Sequence, residues 1–98
     1  MSKPTTAPDV AGIQIEKATP ARLQALGATA WPTWEKEVST FDWTYDEPEV
    51  CWFLQGDVTV QTAAGEVRFG QGDIVRFPAG LSCTWVVHQP VKKHYKFG

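Results

Sequence analysis

The stretch Gly72-Asp-Ile-Val-Arg-Phe-Pro78-Ala-Gly80-Leu-Ser-Cys83 decides the fold of this chain. Branched and aromatic residues follow Gly72, as they do in a short strand. The segment from Pro78 to Gly80 then provides a turn, because proline fixes φ and glycine accepts positive φ. A second strand should follow at Ser82. The stretch therefore predicts two strands joined by a turn, and the rest of the chain repeats this pattern.

The composition indicates one domain that is mainly β. With 98 residues and 43% hydrophobic residues, the chain is long enough for a single core. Seven prolines and eight glycines separate short apolar runs, as in all-β proteins. We expect residues 1–12 to be a flexible tail and residues 13–98 to form the domain.

Charge and cysteine content exclude several function classes. The net charge of -2 argues against nucleic-acid binding, which needs a basic surface. The cluster of Lys92, Lys93 and Lys96 is typical of a solvated strand edge. No segment resembles a signal peptide, and the two cysteines are too few for a disulfide scaffold. We therefore expect a cytoplasmic protein with no nucleic-acid or membrane partner.

Alternating apolar and polar residues predict the order of the elements. An edge strand at 13–16 should precede a short helix with Thr19 as N-cap, Pro20 at its first position and Gly27 at its end. Further strands are predicted at 35–41, 49–55, 57–63, 66–69, 73–77, 82–88 and 92–97. Gly56-Asp57 is predicted to be a hairpin turn. Short antiparallel strands of this kind form a jelly roll or a closed barrel.

The spacing of Gly72, Pro78 and Gly80 matches the second sequence motif of the cupins, and the chain resembles a single-domain cupin. The motif continues with a histidine and an asparagine, where this chain has Cys83 and Val87. The resemblance implies an all-β fold, the cupin jelly-roll β-barrel, here with a short N-terminal helix. The structural half of the motif is kept, and the metal-binding half is replaced.

The first cupin motif is altered in the same way. Glu49 and Gly56 have the spacing of its glutamate and glycine, and counting back places Trp43 and Tyr45 where the family has two histidines. The resemblance thus implies a metal site of which Glu49 alone remains. We expect no cofactor, although an atypical divalent metal bound through Glu49 and the thiols of Cys51 and Cys83 stays open.

Four segments are similar to a narrower group, the small cupins related to the ureidoglycine aminohydrolase cupin domain. The segments are 31–39, 41–43, 49–51 and 90–95, and the similarity covers residues 13–98. It implies a small polar or nitrogenous, ureide-like ligand. Because the aminohydrolase is a two-domain, manganese-dependent protein, the resemblance transfers the fold and not the reaction.

Strand alternation predicts which side chains share the barrel interior. If Glu49 points inward, Cys51 and Phe53 do so as well. The residues expected to contact a ligand in this interior are Trp43, Cys51, Phe53, Cys83, Trp85, Lys93 and Tyr95. The predicted interior is aromatic, with one carboxylate and two thiols.

Glu49 and Tyr45 are the candidate catalytic residues. A carboxylate among tryptophans is desolvated, so we expect the pKa of Glu49 to rise toward the range of a general acid or base. Tyr45 would orient the ligand. Alternatively, Glu49 is a structural carboxylate that hydrogen-bonds to Tyr45 or to backbone amides. We expect Cys51 and Cys83 to be inert, because no cation is evident beside them in the sequence.

The C-terminal segment leaves a choice open. Lys93 and Tyr95 share one face of the predicted strand and His94 lies on the other. Lys93 and Tyr95 would meet an anionic ligand if they face the interior, whereas His94 would meet a metal ion if it does.

The sequence predicts a small-molecule-binding cupin and leaves open whether it is an enzyme. The alternatives are a non-catalytic structural or binding protein and a metalloenzyme with an atypical Glu/Cys site. Five tryptophans exceed what a small core needs, and exposed aromatic residues often mark association. We therefore expect a homodimer.

Overall fold

The computed structural model describes residues 10–98. The elements are β1 (Gln14–Lys17), α1 (Pro20–Leu26), β2 (Thr33–Lys36), β3 (Ser39–Thr44), β4 (Glu49–Thr62), β5 (Gly65–Gly70), β6 (Asp73–Phe77) and β7 (Ser82–Phe97). Most of the predicted tail lies outside the described residues, and Val10 already forms an isolated bridge with Ile13. Among residues 10–98, no helix is long and apolar enough to cross a membrane.

Two long strands, β4 and β7, organise the sheet. They pair with each other in antiparallel fashion along most of their length. On its other side β4 pairs with β6 and then β5, and β7 pairs with β2 and then β3. β1 pairs with β6 at the edge. This arrangement confirms the predicted all-β jelly-roll fold of the cupins.

The short helix has the predicted boundaries. The Thr19 side chain accepts a hydrogen bond from the Arg22 amide, and Pro20 occupies the first turn. Gly27 ends the helix in the left-handed conformation, with φ of 68°. The Arg22 guanidinium binds the Glu16 carboxylate of β1. No residue of the helix is buried, so it lies on the outside of the sheet.

The predicted hairpin turn at Gly56-Asp57 is wrong, because β4 continues through it. The β4–β7 register shifts around Gly56, which marks a β-bulge. A Cβ atom at Gly56, where φ is 124°, would lie 2.8 Å from the Val91 side chain, so the close approach of the two strands requires glycine. The bulge also changes the alternation, since Phe53 is buried before it and Val58 after it.

Two other predicted boundaries are also wrong. The strands predicted at 82–88 and 92–97 are one strand, β7, in which Pro90 lies where the pairing with β4 is irregular and a missing N–H is tolerated. The strand predicted at 35–41 is in fact two, because β2 and β3 pair with opposite ends of β7.

The core is a single aromatic and aliphatic cluster between the sheet faces. Trp85 is 2% exposed and lies at its centre. The Phe41 ring stacks on Trp85 at 5.9 Å between centroids, and Phe69 and Phe77 approach it at 5.7 and 5.8 Å. Cys83 and Val87 are buried on the same face of β7, as the alternation predicted.

Candidate functional site

A lysine, a glutamate and a cysteine meet inside the barrel. The Lys93 ammonium donates to Oε2 of Glu49 at 3.1 Å and to Sγ of Cys51 at 3.2 Å. The Cys51 thiol donates to the same carboxylate oxygen at 3.2 Å. The side chains of Lys93 and Glu49 are only 6% and 5% exposed. The interior therefore contains an ion pair together with a thiol.

Aromatic rings surround the ammonium of this ion pair. Lys93 Nζ lies 4.9 Å from the ring centroids of both Trp34 and Trp85, and 5.7 Å from that of Phe53. A cation over the face of an indole is attracted by the ring quadrupole, and the attraction is larger when the cation is desolvated. The rings therefore help to hold a positive charge in the core.

Strand pairing brings the three polar residues together. Glu49 and Cys51 lie two apart on β4 and share its inner face. Lys93 lies on β7, directly opposite Phe53 of β4. Because Lys93 follows Glu49 by 44 positions in sequence, only the pairing of the two long strands creates this contact.

A small cavity opens beside the ion pair. Its volume is about 190 Å³. It is lined by Trp34, Phe41, Trp43, Tyr45, Glu49, Trp85, Lys93, Tyr95 and Phe97. The walls are thus mainly aromatic, and the charged groups are the carboxylate and the ammonium.

The Lys93 ammonium has one donor that the described residues do not use. An ammonium has three N–H donors, and two of those on Lys93 bind Glu49 and Cys51. Nε1 of Trp85 also has no partner at hydrogen-bond distance within the described residues, but it is fully buried, and its polar neighbours are Tyr45 and Cys83. The free donor that a molecule in the cavity can reach is therefore on Lys93.

Burial keeps the hydroxyl and thiol groups of the site protonated at neutral pH. It raises the pKa of Tyr45 well above its ordinary value, and the charge of Glu49 adds to the rise. Burial raises the pKa of the Cys51 thiol to about 12, although the nearby Lys93 charge opposes this. The pKa of Cys83 is also raised by burial. Tyr45 can therefore donate a hydrogen bond, and neither thiol has the low pKa of a reactive cysteine.

The structure brings most of the predicted site residues together. Tyr45 and Trp85 are buried at the cavity, and Tyr95 also lines it. Trp43, predicted inside, lies instead at the rim with 48% exposure, because β3 ends there. Phe97, at 45% exposure, joins it in an apolar rim. The homodimer that exposed aromatic residues suggested stays a prediction.

Three of the predicted ligand-contacting residues do not line the cavity. Cys51 and Phe53 are fully buried behind it. Cys83 faces a separate surface groove, and its thiol points to the Trp43 carbonyl oxygen at 3.7 Å. These side chains therefore support the cavity and do not form its surface.

The structure of β7 shows which side chains of the C-terminal segment face the interior, a question that the sequence left open. Lys93 and Tyr95 face the cavity. His94 lies on the opposite face, where its ring stacks on Trp52 at 5.3 Å and Nδ1 is 2.8 Å from the Trp31 carbonyl oxygen. His94 is thus a packing residue on the outer face of the sheet.

The sequence profile of the EutQ-like cupin domain matches residues 23–95. The chain belongs to the EutQ-like cupin domain family. A DUF861 family protein from Thermotoga maritima has a similar structure, with 49% identity, a TM-score of 0.85, and coverage of 88% of this chain and 99% of that one. No curated protein matches the chain.

Two EutQ structures show the same fold at lower identity. The Clostridium difficile EutQ protein is 17% identical with a TM-score of 0.63, and coverage is 87% of this cupin and 66% of that chain. A putative ethanolamine utilization protein Q from Salmonella typhimurium is 19% identical with a TM-score of 0.62, and coverage is 87% and 68%.

The residues of this cupin do not fit the metal ion that histidine-bearing cupins hold. Trp43, Tyr45 and Cys83 stand at histidine positions, and Glu49 already binds an ammonium group. Within residues 10–98, no group of three or more histidine, cysteine, aspartate or glutamate residues is placed to hold a metal.

Sequence reasoning missed the partner of Glu49 and part of the cavity wall. The alternatives considered were Tyr45 and backbone amides, and Lys93 is the actual partner. Trp34, Phe41 and Phe97 also line the cavity without having been predicted to do so. Lys93 lies in phase with Trp85 along β7, but the two residues were predicted to lie on separate strands, 82–88 and 92–97.

Proposed function

We propose that this cupin binds a small, neutral, planar compound that carries a carbonyl oxygen and an N–H group, as an amide or ureide does. A ureide-like ligand is also what the similarity to the ureidoglycine aminohydrolase cupin group implies. The proposal names the class of ligand and leaves the reaction open.

The size and walls of the cavity support a compound of this kind. A volume of about 190 Å³ is below the usual range of pockets for drug-sized ligands, roughly 300–1,000 Å³, so a small ligand is expected. Trp34, Phe41 and Trp85 provide flat apolar surfaces. A planar group that lies against such rings buries apolar area without requiring further polar partners.

The Glu49–Lys93 ion pair in the wall of an aromatic cavity is the observation that carries the proposal. A ligand oxygen can accept a hydrogen bond from the Lys93 ammonium, which has one N–H beyond its bonds to Glu49 and Cys51. The protonated Tyr45 hydroxyl, which also lines the cavity, is a further donor for the same oxygen. On the ligand side, an N–H group can donate to Glu49, whose contacts with Lys93 and Cys51 both use Oε2.

The charges of the site favour a neutral ligand. Glu49 and Lys93 together carry no net charge, and a carboxylate ligand would lie close to the Glu49 carboxylate. If the bound compound reacts, Glu49 is the group placed to exchange a proton with it, and the protonated Tyr45 hydroxyl can orient it.

The proposal is tested with two probes of similar planar shape, methylurea and methylguanidinium. Binding is followed by tryptophan fluorescence, because three tryptophans line the cavity. We expect methylurea to bind, and methylguanidinium to bind at least tenfold more weakly because it has no acceptor oxygen.

Two variants assign the contacts. Tyr45→Phe keeps the ring and removes the hydroxyl donor, and Glu49→Gln keeps the shape and removes the charge, so each should weaken methylurea binding roughly tenfold. Arg68→Met, on the outer surface, is the control. Unchanged affinity in both site variants, or no response to amides and ureides in general, would contradict the proposal.

A further inference from the structure

The environment of the Lys93 ammonium resembles that of a bound cation. It is held by a carboxylate oxygen at 3.1 Å, a sulfur atom at 3.2 Å and two indole faces at 4.9 Å. The residue is 5% exposed, so these groups replace its hydration shell. Oxygen and sulfur atoms are also the donors that a divalent metal would use.

We propose that Lys93 is the resident cation of this cupin and takes the place of a divalent metal beside Glu49 and Cys51. The inference goes beyond the proposed function, because it concerns which cation neutralises the Glu49 carboxylate, whether or not an organic ligand binds. It also opposes the Glu/Cys metal site that the sequence left open.

Charge balance explains why the ammonium excludes a metal. The carboxylate of Glu49 carries one negative charge, and Lys93 already neutralises it. A divalent ion beside it would place three positive charges against one negative charge in a buried site, where repulsion is weakly screened. The Cys51 thiol donates a hydrogen bond to Glu49 and keeps its proton, so the sulfur is not the thiolate that a metal binds.

A tethered cation can serve a ligand in one of the ways a metal does. Its positive charge and free N–H can polarise a carbonyl oxygen in the cavity, as a Lewis acid would. Unlike a metal, Lys93 cannot dissociate or be chelated. The properties of the site should therefore not depend on metal supply.

The test uses Zn²⁺, the ion that suits mixed oxygen, nitrogen and sulfur ligands. Zinc binding is measured by calorimetry on the full-length wild type and on Glu49→Gln. We expect the same isotherm for both proteins, because Glu49 is not available to the metal. Zinc binding in the wild type that is lost in Glu49→Gln would overturn the proposal.

A variant designed to gain zinc binding provides a second test of the same proposal. Lys93→His removes the ammonium and supplies an imidazole nitrogen. The histidine side chain is shorter than that of lysine, but a zinc–nitrogen bond of about 2 Å would place the metal near the position of the lysine nitrogen. With Glu49 and Cys51, it completes a set of three ligands. We expect at least tenfold tighter zinc binding than in the wild type, and loss of this gain in Lys93→His/Glu49→Gln.

The matched control is Lys92→His, which adds an imidazole at a neighbouring, partly exposed position of the same strand. It should bind zinc no more tightly than the wild type. A folded Lys93→His variant with no gain over the wild type or over Lys92→His would overturn the proposal. If Lys93→His does not fold, the comparison of the wild type with Glu49→Gln decides the question alone.

Discussion

The two halves of β4 each hold an ion pair, and the longer of the two is the buried one. In the first half, Glu49 binds Lys93 at 3.1 Å, and both side chains are almost completely buried. In the second half, Asp57 binds Arg68 at 2.7 Å, and the arginine side chain is 66% exposed. A buried charge that loses its partner is poorly solvated, so burial, and not distance, decides the cost of breaking an ion pair.

The surroundings of the two pairs explain the difference. Around Lys93 there is little water to solvate a charge that loses its partner, so the carboxylate and the aromatic rings are needed. Around Arg68 water replaces Asp57 at little cost. The ion pair in the first half of β4 is therefore buried with specific partners, and the ion pair in the second half lies at the solvated surface.

The largest expected effect comes from breaking the buried pair. Lys93→Met keeps much of the side-chain volume but leaves the Glu49 carboxylate buried and unpaired. We expect the free energy of unfolding to fall by about 3–5 kcal/mol in urea denaturation. Glu49→Gln/Lys93→Met should recover part of this loss, because the double variant has no uncompensated charge. A loss no greater than that of Lys92→Met would show that the pair does not stabilise the fold.

An intermediate effect is expected at alkaline pH. The pKa of Cys51 is about 12 in the folded protein, against an ordinary value of 9.0. Below pH 9 the thiol is protonated in both states, and stability does not depend on it. Between pH 9 and about pH 12 the unfolded thiol loses its proton first, so the free energy of unfolding should decrease by about 1.4 kcal/mol per pH unit.

The variant Cys51→Ser isolates this contribution, since a serine hydroxyl does not ionise in the range. The free energies of unfolding of the wild type and of Cys51→Ser, measured in urea, should therefore converge as the pH rises from 9 to 11. Tyr45, whose pKa is also raised, adds a similar slope to both proteins and cancels in the comparison. Parallel pH profiles would contradict the assignment of the shift to Cys51.

The smallest effect is expected at the exposed pair. Arg68→Met should leave the urea midpoint of the wild type unchanged within error, because both groups remain hydrated when they separate. The result at low and at high salt should be the same. A clear loss of stability would show that the exposed pair contributes more than its surroundings indicate.

The sequence predicts which side chains of a strand are buried, but it does not predict which residues of distant strands contact each other. Period-two alternation placed Glu49, Cys51 and Phe53 on one buried face, because this pattern depends only on local strand geometry. Alternation also found Trp85 on β7. It could not pair Glu49 with Lys93, because register between distant strands is a property of the whole sheet.

The incorrect prediction of a hairpin turn at Gly56 has a related cause. A glycine followed by an aspartate is a strong hairpin signal, yet here the glycine is required by the close approach of Val91 from another strand. The predicted break between residues 88 and 92 has the same cause, since a proline at a bulge, as Pro90 is, and a proline after a strand look alike in sequence. Both errors concern long-range contacts that a local pattern does not contain.

The pairing of β4 with β7 also determines when the site can form during synthesis. Chains emerge from the ribosome N-terminal end first, and contacts between distant segments form slowly because they close long loops. Glu49 is made 44 residues before Lys93, so β4 must wait for β7 before its carboxylate has a partner. In the nascent chain β4 can pair with β5 and β6 before β7 has been made, but the interior beside Glu49 remains open. The candidate site and the pairing of the two long strands are therefore completed together.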